Sequence, residues 1–203
     1  WDMHISEGVL SPAVLGGGAV LAAAGVAAGL RRVDYERLMG VAMLAAAFFV
    51  GSLVHVPVGP ANAHLVLNGL LGLFLGWAAF PAILVALVLQ AVLFQYGGIT
   101  TLGVNTFTMA LPAVLAGYAV RPLLHGSASA RVAAGFLCGS LAVAGAALLT
   151  ALALGFSNEG FVRSAQILLA AHVPVMAAEG VITALIVSFV VRVRPETFPG
   201  VTE

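Results

Sequence analysis

Leu10-Ser-Pro-Ala-Val-Leu-Gly-Gly-Gly-Ala-Val-Leu-Ala-Ala-Ala-Gly-Val-Ala-Ala-Gly-Leu30 is a run of apolar and small residues without one charge. As a helix rising 1.5 Å per residue it is long enough to cross the hydrocarbon core of a bilayer. The rest of the chain has the same character. Its 203 residues are 62% hydrophobic and only 8% charged, and mean hydropathy is +1.12. Soluble domains carry roughly 25% charged residues. The apolar runs lack strand-like alternation, which favours helices over a barrel. The expected fold is therefore an all-α integral membrane protein. The formal net charge is zero, so nothing suggests a nucleic-acid partner. The chain contains no lysine and so no Walker A phosphate loop. Any ATP-driven role must borrow its ATPase. Cys138 is the only cysteine, which excludes an internal disulfide.

Beyond Leu30, a charged loop with Arg31, Arg32, Asp34, Glu36 and Arg37 leads to a second span, Leu38 to about Val54. His55-Val-Pro-Val-Gly-Pro-Ala-Asn-Ala-His64 reads as a loop stiffened by Pro57, Gly59 and Pro60. Leu65 to about Trp77 is apolar but short, and Ala78 to Phe94 follows almost directly. The pair reads as a tight helical hairpin, or as one short and one full helix. After a loop rich in Gly and Thr, Thr106 to Val120 spans with Pro112 as an expected kink. Arg121, Pro122, His125 and Arg131 mark the next loop, and Val132 to Gly155 is a long span. The final apolar stretch, Ser164 to Val191, is interrupted at His172 and Pro174, so the last span is expected to begin near His172. The count is about seven transmembrane helices, six full and one short. There is no internal repeat and no second domain.

Gly18, Ala22, Gly25 and Gly29 have the small-xxx-small spacing that lets another helix approach closely. That helix could belong to this chain or to a partner. Threading the spans with the N-terminus outside puts Arg31, Arg32, Arg37, Arg121, Arg131, Arg192 and Arg194 inside and leaves only Arg163 outside. This is the positive-inside bias. The C-terminus is then cytoplasmic. The same threading places His4, His55, His64 and His172 on the outer side and His125 inside.

The head of the chain, Trp1-Asp-Met-His-Ile-Ser-Glu-Gly-Val-Leu10, is polar and acidic, unlike the basic start of a cleavable signal peptide. An amine, a deprotonated amide and the imidazole of His4 can chelate one metal in a plane. Nitrogen-rich tetragonal sites of this kind favour Ni(II) or Cu(II), with Co(II) accessible. The alternative is an ordinary polar N-terminus that happens to carry a histidine. His64, at the start of an outer helix, is the first candidate for a further ligand, and His55 the second. Glu179 lies well inside the last span, where an ionisable group is costly and points to function. Its alternative is a protonated or hydrogen-bonded glutamate that locks helices together. Gln90, Asn68 and Asn105 are expected to bridge helices or brace loops, and Met109 to lie in the core.

Met3-His-Ile-Ser-Glu-Gly-Val-Leu-Ser-Pro12 resembles the N-terminal signature of the CbiM/NikM family. The likeness continues through His64-Leu65, Gly69-Leu-Leu-Gly72, Gln90-Ala91, Phe94, Gly97-Gly98, Leu102-Gly-Val-Asn105 with Met109, His172-Val-Pro174 and Glu179-Gly180. Members are the substrate-binding membrane components of cobalt and nickel energy-coupling factor (ECF) transporters. The resemblance implies Co2+ or Ni2+ as transported substrate and no enzymatic activity in this chain. It implies metal held by the amine of Met3, the amide and imidazole of His4, and His64, with His55, Asn105 and Glu179 as possible additional groups. Trp1-Asp2 ahead of Met3 departs from the pattern: a chain beginning at Trp1 gives Met3 no free amine. Glu7-Gly8 looks like the cobalt branch and Leu10-Ser11-Pro12 like the nickel branch, with a slight lean to cobalt. The implied partners are a transmembrane coupling subunit, cytoplasmic ATPases and a small accessory membrane subunit. The implied setting is the lipid bilayer of a bacterial cytoplasmic membrane. Residues 1–203 are expected to form a single transmembrane substrate-binding domain.

Two rival functions remain open at this point. An intramembrane hydrolase could use His172 and Glu179, but seven residues separate them by about 10 Å along a helix, too far for one compact metal shell. A self-sufficient secondary carrier would usually show internal repeats and charged relays at mid-membrane.

Overall fold

The computed structural model describes residues 4–33, 35–58, 61–194 and 197. Among these described residues, seven α-helices and one short strand pair follow in chain order: α1 (Pro12–Leu30), α2 (Tyr35–Ser52), β1 (His55–Val58), β2 (Ala61–His64), α3 (Asn68–Leu75), α4 (Ala79–Phe94), α5 (Leu102–Leu124), α6 (Ala128–Ser157) and α7 (Val162–Val193). By length and composition five helical stretches can cross a bilayer, with 68–94 counted as one, and Leu38–Ser52 is a shorter apolar helix. The protein is an all-α integral membrane protein, as its composition requires.

The starts of α1 and α6 are set by serine caps. Ser11 Oγ accepts from Val14 N, with Pro12 in the first turn of α1. Ser127 Oγ accepts from Ala130 N at the start of α6. Several boundaries differ from expectation. α7 begins at Val162 and runs unbroken through His172 and Pro174. Proline removes one N–H, but neighbouring groups in a membrane bundle tolerate that loss. α5 likewise contains both Pro112 and Pro122, so the loop expected at Arg121 and Pro122 is helical.

The short third segment is a half-length helix. α3 has eight residues, about 12 Å of rise. It starts in the middle of the bundle, where Asn68 Nδ2 donates to the carbonyls of Met109 (3.0 Å) and Ala142 (3.4 Å). It descends along the second half of α5 and ends at Gly76, beside Tyr118 and Arg121. Gly76 has φ +56°, a turn that suits glycine. One 3-10 turn (Gly76–Ala78) later, α4 climbs back, and Gln90 Nε2 donates to Ser52 Oγ at 2.6 Å. The expected hairpin of one short and one long helix is present.

The Gly18, Ala22, Gly25 and Gly29 ridge of α1 faces inward. A Cβ on Gly18 would strike Val104 of α5, one on Gly25 would strike Phe80, and one on Gly29 would lie 2.6 Å from the Pro81 ring. This ridge is an internal seam with α4 and α5. α6 and α7 pack antiparallel through the same device. Gly135 faces Ala184, Gly139 faces Glu179 and Thr183, and Ser140 Oγ donates to Met176 O at 2.9 Å.

Helix polarity sorts the ends of the bundle. The N-terminal segment, the strand pair and loop 95–101 share one end with Arg163. Arg31, Arg32, Arg121, Arg131, Arg192 and Arg194 lie on turns at the opposite end. There Arg121 stands over the Tyr118 ring at 4.2 Å, and Arg32 over Trp77 at 5.6 Å.

Candidate metal site

Asn105, in the first turn of α5, holds the N-terminal segment. Its Oδ1 accepts from Ile5 N at 3.0 Å, and its Nδ2 donates to Ile5 O at 3.1 Å. One side chain thus satisfies both backbone groups of a buried, non-helical residue, which in a membrane protein need a protein partner. Asn105 is itself fixed by donating to Thr101 Oγ1 at 3.3 Å. The adjacent His4 is buried, and its ring stacks on Tyr96 with centroids 6.5 Å apart. Tyr96 stacks on Phe94, and Phe94 meets Phe49 of α2, so an aromatic row links His4 to α2.

The glycines of loop 95–101 are explained by this packing. Gly97 has φ +75°, and a Cβ there would sit 3.0 Å from Asn105 Nδ2 and 3.6 Å from His4 Cβ. A Cβ on Gly98 would run into the Glu7 side chain. Glu7 accepts from Thr100 N at 3.2 Å and ties the N-terminal segment to the loop a second time. On the other side of His4 lies a cavity of about 360 Å³, lined also by Ser6, Thr150, Leu154 and Leu168.

The His55–His64 segment, expected as a loop, is an antiparallel strand pair with His55 directly opposite His64. Four residues of extended chain on each side of Gly59-Pro60, with β-branched Val56 and Val58 in the first strand, were the signal for it. Leu65 N donates to Val54 O at 3.3 Å and closes the base. The directions of the His55 and His64 side chains lie outside the described features, as do residues 59–60 and Met3.

Glu179, fully buried at the middle of α7, reaches the chain just below this base. Its Oε1 accepts from Val66 N and, at 3.1 Å, from Leu67 N, which also reaches Oε2 at 3.0 Å. These N–H groups immediately precede the first turn of α3, where backbone donors are unsatisfied and negative oxygens are favoured. Leu67 takes a left-handed φ of 53°, so the chain turns sharply here. At the other end of α3, the Arg121 guanidinium lies beside Gly76. Both termini of this half-helix therefore face groups that complement its dipole.

Of the residues read from the sequence, His4 and Asn105 meet through Ile5, and His55 and His64 are cross-strand neighbours. Asn105 and Glu179 spend their oxygens on backbone N–H groups. Among the described residues no three His, Cys, Asp or Glu side chains cluster closely enough to hold a metal. His172 lies buried in α7, donating from Nδ1 to Leu168 O at 2.7 Å. Gln90, Asn68 and Met109 are buried bridging or core residues, as expected. Tyr96 and Thr101 were not singled out in the sequence. A buried polar residue in a loop after an apolar helix was the available hint.

Comparisons with known proteins agree with this architecture. Residues 4–197 match the family model CbiM, described as the cobalt uptake substrate-specific transmembrane region. A protein of Haemophilus influenzae, provisionally named a metal transport protein, is 44% identical over 197 residues, covering 96% of each chain. The cobalt transport protein CbiM of Sorangium cellulosum is 33% identical, covering 96% of this chain and 93% of its own. A crystal structure of a truncated transition metal transporter superposes with a TM-score of 0.74 at 28% identity, covering 95% of this chain and 98% of that one. This chain belongs to the CbiM family and is a multi-pass membrane component of cobalt and nickel transport, not an enzyme.

Proposed function

We propose that residues 1–203 act as one substrate-binding unit of an ATP-driven ECF importer, capturing Co2+ or Ni2+ at the outer face. The arginine-rich end is then cytoplasmic, in keeping with the positive-inside bias. The ion is held by the Met3 amine, the His4 amide and imidazole, and His64. Asn105 and Glu179 act from behind, as braces of the two ligand-bearing segments. The observation that carries this reading is the two-point grip of Asn105 on Ile5, which fixes the backbone beside His4. Capture and release are separated by a reorientation driven by cytoplasmic ATPases through a transmembrane coupling subunit, with a small accessory membrane subunit in the assembly. The lean to cobalt rests on Glu7-Gly8. Glu7 ties down the loop beside His4, so its position fits a role in site shape.

Metal titration of the purified chain tests the ligand set. His4→Ala and His64→Ala each abolish tight Co(II) and Ni(II) binding, whereas His125→Ala, at the arginine end, does not. Ligand nitrogens must be deprotonated, so affinity falls as pH falls. A chain starting at Met3 binds more tightly than one extended by several residues. Equal affinity of the two would remove the Met3 amine from the ligand set. Uptake with and without the ATPase separates the importer from a self-sufficient carrier: uptake that persists without ATPase overturns the ECF assignment.

A further inference from the structure

We propose that the groove between the start of α6 and the end of α7 is a binding site for an anionic phospholipid. Two cavities lie end to end there. The first, about 380 Å³, is bounded by Ala128, Arg131, Val132, Ser188, Val191 and Arg192. The second, about 460 Å³, continues from the shared Val132 and Ser188 toward mid-membrane, along Phe136, Val181 and Leu185. Arg131 sits in the first turn of α6 and is half-buried, with its Nε buried; Arg192 is exposed in the last turn of α7.

The polarity of the groove runs in one direction. Its end at the membrane surface carries the guanidinium groups of Arg131 and Arg192. Ser188 turns its hydroxyl proton back to Ala184 O at 2.7 Å, so the deep wall is effectively hydrocarbon. From Val181 to Arg192 is eleven residues, about 16 Å along the α7 axis. That length suits one acyl tail below a headgroup. Guanidinium groups pair with phosphate through charge-assisted, often bidentate, hydrogen bonds. A zwitterionic lipid brings its own cation to the same arginines, so a net negative headgroup is the better complement. The proposal is independent of the metal site, which lies at the opposite end of the bundle.

Native mass spectrometry of the full chain in a zwitterionic detergent tests it, with phosphatidylglycerol and phosphatidylcholine of identical acyl chains as probes. The wild type retains phosphatidylglycerol preferentially. Arg131→Gln and Arg192→Gln each lower that preference about fivefold, the effect of roughly one basic residue near an anionic headgroup. Arg163→Gln, at the other end, leaves it unchanged. Val132→Trp, which fills the shared wall from an exposed position, lowers retention of both lipids. Unchanged elution on size exclusion and unchanged Tm without added lipid confirm that the variants fold. Equal retention of the two lipids by the wild type overturns the proposal, as does an equal loss in Arg163→Gln. If the groove instead seats a helix of a second copy or another subunit, Val132→Trp changes the oligomeric state while lipid retention stays constant, and the proposal fails.

Discussion

The two histidine-bearing segments are held in different ways. The N-terminal segment is gripped along its length. Asn105 binds both backbone groups of Ile5, Glu7 caps Thr100 N, and His4 packs on Tyr96. The strand pair is anchored below its base, where Glu179 binds the N–H groups of Val66 and Leu67. The first arrangement fixes a residue next to His4. The second fixes the chain at the foot of the strand that ends at His64. The N-terminal segment is thus tied to α5, and the foot of the strand pair to α7.

The largest effect is expected from the Glu179 anchor. Glu179→Ala leaves two N–H groups without their acceptor in a buried, water-poor region, at a cost of about 3 kcal/mol. Thermal unfolding in detergent should show the loss, and limited proteolysis should show faster cleavage within residues 55–66. Unchanged cleavage there would mean that Glu179 does not hold the strand pair.

Asn105→Ala should cost about 2 kcal/mol, because it strands one donor and one acceptor of Ile5. Asn105→Asp keeps the acceptor for Ile5 N and loses the donor to Ile5 O, so its stability should lie between wild type and alanine. Protection of the Ile5 amide against hydrogen exchange reads this directly. It should fall in Asn105→Ala and stay largely intact in Glu179→Ala; equal losses would merge the two anchors into one unit.

Gly97→Ala should cost about 1 kcal/mol, since alanine resists φ +75° and its Cβ meets Asn105. A crystal structure or amide exchange should show the disturbance confined to loop 95–101 and residues 4–7. The smallest effect is expected from Glu7→Gln, which retains an acceptor for Thr100 N at an exposed position. Its Tm should be unchanged within error, and any change should appear in the ratio of Co(II) to Ni(II) affinity.

Composition determined the membrane setting, and the order and pattern of the apolar runs determined the helical class and the gathering of arginines at one end. Each follows from the cost of placing charge or unpaired backbone in hydrocarbon, which depends on local residue type. The short third helix was legible because Leu65 to Trp77 is too brief to span. The boundaries around Pro122 and Pro174 were not, because neighbours decide whether a proline ends a membrane helix. The direction of the α1 ridge was equally open. Small residues permit close approach by any helix, and only tertiary packing matched Gly18 to Val104 and Gly25 to Phe80. The site divides in the same way. His4 stood out as an imidazole in a polar head on an apolar chain. The two anchors join residues 100 and 113 positions apart, Asn105 to Ile5 and Glu179 to Val66. Local sequence says that a buried amide or carboxyl needs a partner, but the partner is whichever backbone the bundle brings within reach.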